Sequence, residues 1–161
     1  MRASRHPQAL KVQAVLGDGY SVVEFDESTH TAQEAANAIG CDVAQIAKSI
    51  IFRAAQSGRA VLVIASGRNK VDEKKIRALL GEKIERAKPE FVLEMTGFEV
   101  GGVPPIGHVQ PCVVFIDRDL KAFPTIWAAG GTANAVFEIG FDDLTERSRA
   151  TIADVAKAQA A

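Results

Sequence analysis

Cysteine is scarce in this chain, with only Cys41 and Cys112 among 161 residues. A disulfide framework is therefore excluded, and neither cysteine sits in a C-x-x-C or Cys/His cluster of the kind that holds zinc. A reduced, cytoplasmic setting is the expectation. Aromatic residues make up only 6%, with one Trp and one Tyr. That argues against a platform on which single-stranded bases stack. Apolar runs such as Ala60 to Ala65 fall far short of the roughly 20 residues of a membrane helix. The N-terminal MRASRHPQAL is basic but has no apolar segment, so no secretory signal is read there. A surplus of one charge is missing too: Lys and Arg number 19 against 20 Asp and Glu, for a net charge of -1. This is not a blanket polycation, and DNA is not an expected partner. Neither a Walker motif, nor Gly-x-Gly-x-x-Gly, nor Gly-x-Ser-x-Gly occurs. Nucleotide cofactors and a serine nucleophile thus have no support, and no cofactor or metal is expected.

What is present is ordinary globular material, 47% hydrophobic and 24% charged, in a length that suits one domain over residues 1–161. Pro7 to Leu16 reads as a helix closed by Gly17, and Tyr20 to Phe25 as a strand. Thr31-Ala-Gln-Glu34 is a capping-box pattern that opens an Ala-rich helix to Ile39, with a helical turn near Val43 to Ile46. Ser49 to Arg53 and Ala60 to Ala65 read as a hairpin. The second of these is apolar on both faces, as a fully buried strand would be. Asp72 to Leu80 is an amphipathic helix, and Pro89 opens another through Met95. Cys112 to Ile116, Thr125 to Ala128 and Ala135 to Ile139 follow as strands, with closing helices from Asp142 or Asp143 and from Ser148. Strict βαβ rhythm is absent. The expected fold is α/β, with a mixed, largely antiparallel sheet curled toward a barrel and helices flanking it.

Two features stand out chemically. Strand alternation puts Lys48 on the same face as Ile50 and Phe52. A lysine there must snorkel to water, find an anion, or line a pocket. The stretch Gly101-Gly102-Val103-Pro104-Pro105-Ile106-Gly107-His108 is both permissive and stiff. Such a loop can offer backbone N–H groups to a carbonyl or phosphate oxygen, or can simply be a wide turn. His108 closes it and is of more interest than His30, whose setting suits a local hydrogen bond. Ala129-Gly130-Gly131-Thr132 is a second glycine turn that either borders a pocket or links two strands. Residues 68–88 hold eight basic residues, Arg68, Lys70, Lys74, Lys75, Arg77, Lys83, Arg86 and Lys88, against four acidic ones. This is a lobe able to dock a phosphate backbone, or a solvated face laced with ion pairs.

The order of the motifs is more specific than any one of them. Thr31-x-x-Glu34-Ala-Ala, Ile46-Ala-Lys48-Ser-Ile-Ile-Phe52, the apolar strand Val61 to Ala65, Gly101-Gly-Val-Pro-Pro-Ile-Gly-His108 and Ala128-Ala-Gly-Gly-Thr132 occur in succession. In that succession the chain resembles the YbaK/prolyl-tRNA-synthetase-associated domain family of free-standing aminoacyl-tRNA deacylases. The resemblance spans nearly the whole chain. It implies a curled mixed sheet and hydrolysis, without a metal, of the ester between a wrong amino acid and the terminal ribose of a tRNA. Some relatives use a ribose hydroxyl to help activate the water.

Carried over residue by residue, Lys48 matches the family's lysine, and Gly101 opens its G-x-x-x-P loop, ending here at Pro105. Lys48, Gly101 and Gly102 are thus the catalytic candidates. Thr31, Val103, Pro105, Gly107, His108, Gly130 and Thr132 are the substrate-binding ones, and Arg68, Lys70, Lys74 and Lys75 the tRNA contacts. The expected partners are a mischarged tRNA carrying a small amino acid and, with it, an aminoacyl-tRNA synthetase. Two rivals stand beside this reading: a non-catalytic module that binds tRNA or a synthetase, and a hydrolase of a small acyl ester that needs no tRNA.

Overall fold

The computed structural model describes residues 1–158. Over these residues the elements run β1(Arg2–Ala3), α1(Pro7–Leu16), β2(Val23–Glu24), α2(Ala32–Ile39), β3(Ile46–Ala54), β4(Ala60–Ser66), α3(Glu73–Leu80), β5(Ile84–Arg86), α4(Pro89–Thr96), β6(Val113–Asp117), β7(Thr125–Ala129), β8(Ala135–Gly140), α5(Phe141–Ser148) and β9(Thr151–Ala153). Short 3-10 turns occupy Val43–Gln45 and Arg118–Ala122.

Local chemistry explains the helix ends. Thr31 accepts from the Glu34 amide at the start of α2, and Asp72 accepts from the amides of Lys74 and Lys75 at the start of α3. Pro7 and Pro89 open α1 and α4, where no amide donor is needed. Among the described residues no helix is long and apolar enough to cross a membrane.

The strands form one curled, open sheet in the order β1-β2-β8-β7-β3-β4-β6-β9, with β5 added beside β3. Pairings β3–β7, β4–β6 and β6–β9 are parallel and the others antiparallel. Both faces of β4 are covered, so every residue of it is buried. Leu62 and Ile64 join Val12 and Leu16 of α1, Phe137 of β8 and Leu144 of α5. Val61, Val63 and Ala65 face the other way, onto Ile76 of α3 and Val155.

This is the expected fold class, with differences in detail. The strand expected over Tyr20 to Phe25 is reduced to Val23–Glu24. Arg147 of α5 stacks on the Tyr20 ring, 4.9 Å from its centroid, outside any ladder. No helix starts at Ser148; that residue ends α5. Arg149 turns left-handed, φ 55°, and Thr151–Ala153 then pairs with β6 as an edge strand.

The site is positioned by what β3 leaves unpaired. One edge of β3 is taken along its length by β4. On the other edge β7 pairs with Ile46 and Ala47, and β5 pairs with Phe52 to Ala54. The two neighbours diverge, and Lys48 to Ile51 lie in the gap between their ladders.

Candidate active site

A cleft of about 500 Å3 opens at this gap. Its floor is the β3 segment Ile46 to Ile51, one wall is Trp127 to Ala129 of β7, and the opposite wall is Ala87 and Val92. Thr29 to Ala32 and the loop residues Val100, Gly101 and Val103 close the rim. The lining is dominated by alanine and valine, and contains no Cys, Asp or Glu. Among the described residues no group of three or more His, Cys, Asp or Glu comes together to hold a metal.

Lys48 is the cation of this cleft. It is partly buried, and its ammonium makes no hydrogen bond or ion pair among the described residues. Burial pushes its pKa below the usual lysine value; the buried Asp117 acts in the opposite direction, and neighbouring Lys70 lowers it further. Asp117 is occupied otherwise, accepting from the Ser66 amide at 3.0 Å and from Asn69 Nδ2 at 2.9 Å.

The glycine-proline loop meets the cleft with only part of its length. Gly101, at φ +95°, and Val103 lie on the cleft rim, and their amides have no partner among the described residues. The Gly102 amide is spent on the Glu99 carbonyl at 3.0 Å. Gly102 itself is buried against the second glycine turn: a Cβ there would stand 2.9 Å from Thr132 Cα and 3.0 Å from Gly131 C. Thr132, with Gly131, therefore backs the loop, whereas Gly130 packs against Val22 and Ala135; neither Gly130 nor Thr132 lines the cleft. Pro105, Gly107 and His108 line a different cavity on the far side of the loop, with Cys112 and Arg147. There the His108 ring turns back on its own loop, with Nε2 2.7 Å from the Pro104 carbonyl. Burial holds its pKa below the ordinary histidine value.

Thr31 sits on the rim, and its hydroxyl also donates to the Glu34 carboxylate at 2.8 Å. His30 lines the cleft too, with Nδ1 2.7 Å from Ser28 Oγ, the local bond its position suggested. Of the basic candidates, Arg68, Lys70 and Lys74 are exposed. Lys75 is committed to the fold: its ammonium donates to Asp154 at 2.8 Å and to the Ala156 carbonyl at 2.6 Å. Sequence reasoning passed over Ser49, on the cleft floor, and Trp127, on its wall. Ser49 Oγ is enclosed and has no hydrogen-bond partner.

Neither cysteine reaches the cleft. Burial raises both thiols, Cys112 to about 11, so neither is a ready thiolate. Whatever chemistry the cleft performs is therefore expected to survive the double variant Cys41→Ala with Cys112→Ala. A folded double variant without turnover, or a trapped acyl-thioester, would contradict this.

Comparison with known proteins bears on the family and the fold. The model of the aminoacyl-tRNA editing domain family matches residues 26–146. An uncharacterized protein, YwhH of Bacillus subtilis (strain 168), is 39% identical over 127 residues, covering 79% of this chain and 80% of that protein. A proline–tRNA ligase of Bacillus licheniformis is 38% identical over 96 residues, which are 59% of this chain but only 16% of the ligase. A crystal structure described as "a putative trans-editing enzyme for prolyl tRNA synthetase" superposes with a TM-score of 0.90 at 43% identity, covering 96% of this chain and all of that one. The chain belongs to the aminoacyl-tRNA editing domain family.

Proposed function

We propose that this protein is a trans-editing deacylase that hydrolyses the ester of a mischarged tRNA carrying a small amino acid. The observation that carries the proposal is the pairing, across one apolar cleft, of a partly buried, unpartnered Lys48 with the unpartnered amides of Gly101 and Val103. Ester hydrolysis builds negative charge on the carbonyl oxygen. Amides fixed on a loop stabilise that charge without reorganising, and the low dielectric of the cleft strengthens the effect. Lys48 supplies a cation that orients the substrate's terminal end. Water attacks the acyl carbon, the bond from that carbon to the ribose oxygen breaks, and the ribose oxygen takes up a proton. The products are a free amino acid and a tRNA able to be charged again. The alanine- and valine-lined walls suit a small side chain, and discrimination by such walls is worth about 1–3 kcal/mol per methylene.

Docking of the tRNA is assigned to the exposed cations Arg68, Lys70 and Lys74, of which Lys70 is near enough to act on Lys48. At subsaturating tRNA the deacylation rate should fall as salt rises, because binding to phosphates releases counterions. Reversing Lys70 and Lys74 to Glu should raise KM and flatten the log–log salt slope by about 0.7–0.9 for each phosphate that is no longer neutralised. Lys75 is unsuited to the test because it anchors the C-terminal segment. An unchanged KM and slope would place the tRNA on another face. The reading as a whole is tested by single-turnover hydrolysis of a mischarged tRNA; a folded protein in excess over the tRNA that leaves the ester intact would refute it.

A further inference from the structure

The backbone of β3 offers a binding element that no side-chain motif announces. Ile46 O accepts from Gly67 N, and Ala54 N donates to Arg59 O. By the two-residue alternation of an antiparallel ladder, Ile46, Lys48, Ile50, Phe52 and Ala54 direct their N–H and C=O toward β4. Ala47, Ser49, Ile51 and Arg53 direct theirs to the opposite edge. Ala47 falls within the β7 ladder and Arg53 within that of β5, and Ile51 borders the β5 ladder next to the Phe52–Arg86 pair. Ser49 lies between the ladders, within neither, on the cleft floor. Ser49 is partly exposed although its Oγ is enclosed, so the surface it shows the cleft comes from its other atoms. An unpaired strand residue presents one donor and one acceptor, the pair that an added strand residue would satisfy.

We propose that the Ser49 backbone reads the α-aminoacyl group as a single added strand residue. The inference deepens the deacylase reading and rests on it for the identity of the ligand. An aminoacyl ester carries the same N–Cα–C=O unit as one residue of a strand. Its α-ammonium donates to the Ser49 carbonyl, and its ester carbonyl accepts from the Ser49 amide, opposite the Gly101 loop. Residues opposed in this way put their side chains on the same face of a sheet. The substrate side chain therefore lies on the Ser49 side-chain face, that of Ala47 and Ile51, which packs into the main core. On that face the Ser49 Oγ is enclosed and has no hydrogen-bond partner.

The probes are 3′-alanylamino-3′-deoxyadenosine and its 3′-propionylamino counterpart, which lacks only the amino group. Neither can be hydrolysed, so ester reactivity does not enter. With 15N-labelled protein, the alanyl probe should move the Ser49 amide resonance downfield. It should also bind about ten- to a hundredfold more tightly than the propionyl probe, the range for a hydrogen bond to a charged group. Ser49→Pro removes the amide donor at an edge where no ladder uses it, and Ser49→Ala keeps that donor. The alanyl probe should bind Ser49→Ala about two- to tenfold more tightly than Ser49→Pro, the range for the loss of one neutral hydrogen bond. Equal affinity for the two probes, or no binding, or an unmoved Ser49 resonance on wild-type protein, would overturn the inference whether or not Ser49→Pro folds. Hydrolysis of mischarged tRNA together with equal probe affinities would sink this inference and leave the deacylase standing. A shifted Ser49 resonance without any hydrolysis would do the reverse.

Discussion

Replacing Lys48 by Ala is expected to slow single-turnover deacylation about 10²–10³-fold, a loss of roughly 2.7–4 kcal/mol of transition-state stabilisation. The melting temperature should stay level or rise. The two readouts diverge because of where Lys48 sits. It is a partly buried cation without a bonded partner. Its pKa in the folded chain is depressed below the ordinary value of 10.5, chiefly by burial. The folded state then binds protons less readily than the unfolded one. The stability tied to this group is present only above the unfolded value, and is lost as pH falls through the depressed folded one. At neutral pH its charge therefore weighs against folding, and Asp117 only offsets part of that. A lysine kept for packing or pairing would behave oppositely, with a falling melting temperature and an intact rate. A folded Lys48→Ala protein at near wild-type rate would return Lys48 to the role of a snorkelling strand residue.

Gly102→Ala should damage both rate and stability, and for a different reason. The new Cβ would meet the backbone of Gly131 and Thr132 at 2.9 to 3.0 Å, and neither can move aside as a flexible side chain would. Overpacking of this kind costs about 1–3 kcal/mol. In a chain of this length that lowers the melting temperature by about 2–4 °C per kcal/mol. The loop is pushed relative to the turn behind it, carrying Gly101 and Val103 with it. A displacement near 1 Å of groups that must face a reacting carbonyl costs about 10²-fold. The comparison is a thermal melt beside single-turnover deacylation well below the melting point. Wild-type behaviour in both would show that the loop and turn are not rigidly coupled.

Much of this arrangement was legible because its signals are local. The capping oxygen of Thr31, the glycines that end α2 and α3, and the two-sided apolar run of β4 lie within a few residues of what they determine. Lys48 was legible through the alternation of a single strand. Short strands were not. β1, β5 and β9 exist because another strand lies alongside, and nothing inside Thr151–Ala153 distinguishes it from a loop without β6. Ser49 was missed for the same kind of reason. Its interest comes from the point where β7 leaves off and β5 has not begun, which no window of sequence around Ser49 contains. The direction of His108 depended on how Pro104 and Pro105 turn the chain, and the ring ends on the far side of the loop from the cleft. Lys75 looked solvated by helical periodicity, but Asp154 arrives from a segment 79 residues away to bind it.

The central claim is that one cleft holds an aminoacyl ester delivered by tRNA and hydrolyses it. The most direct test is a side-by-side panel of wild-type protein on mischarged tRNA, correctly charged tRNA and a free small aminoacyl ester. Lys48→Ala serves as the blank at matched concentration. The expected result is rapid release of the amino acid from the mischarged tRNA, slower release from the other two, and a large loss of the first activity in the blank. Equal release from all three, or none from any, would contradict it, as would a blank that matches the wild-type protein.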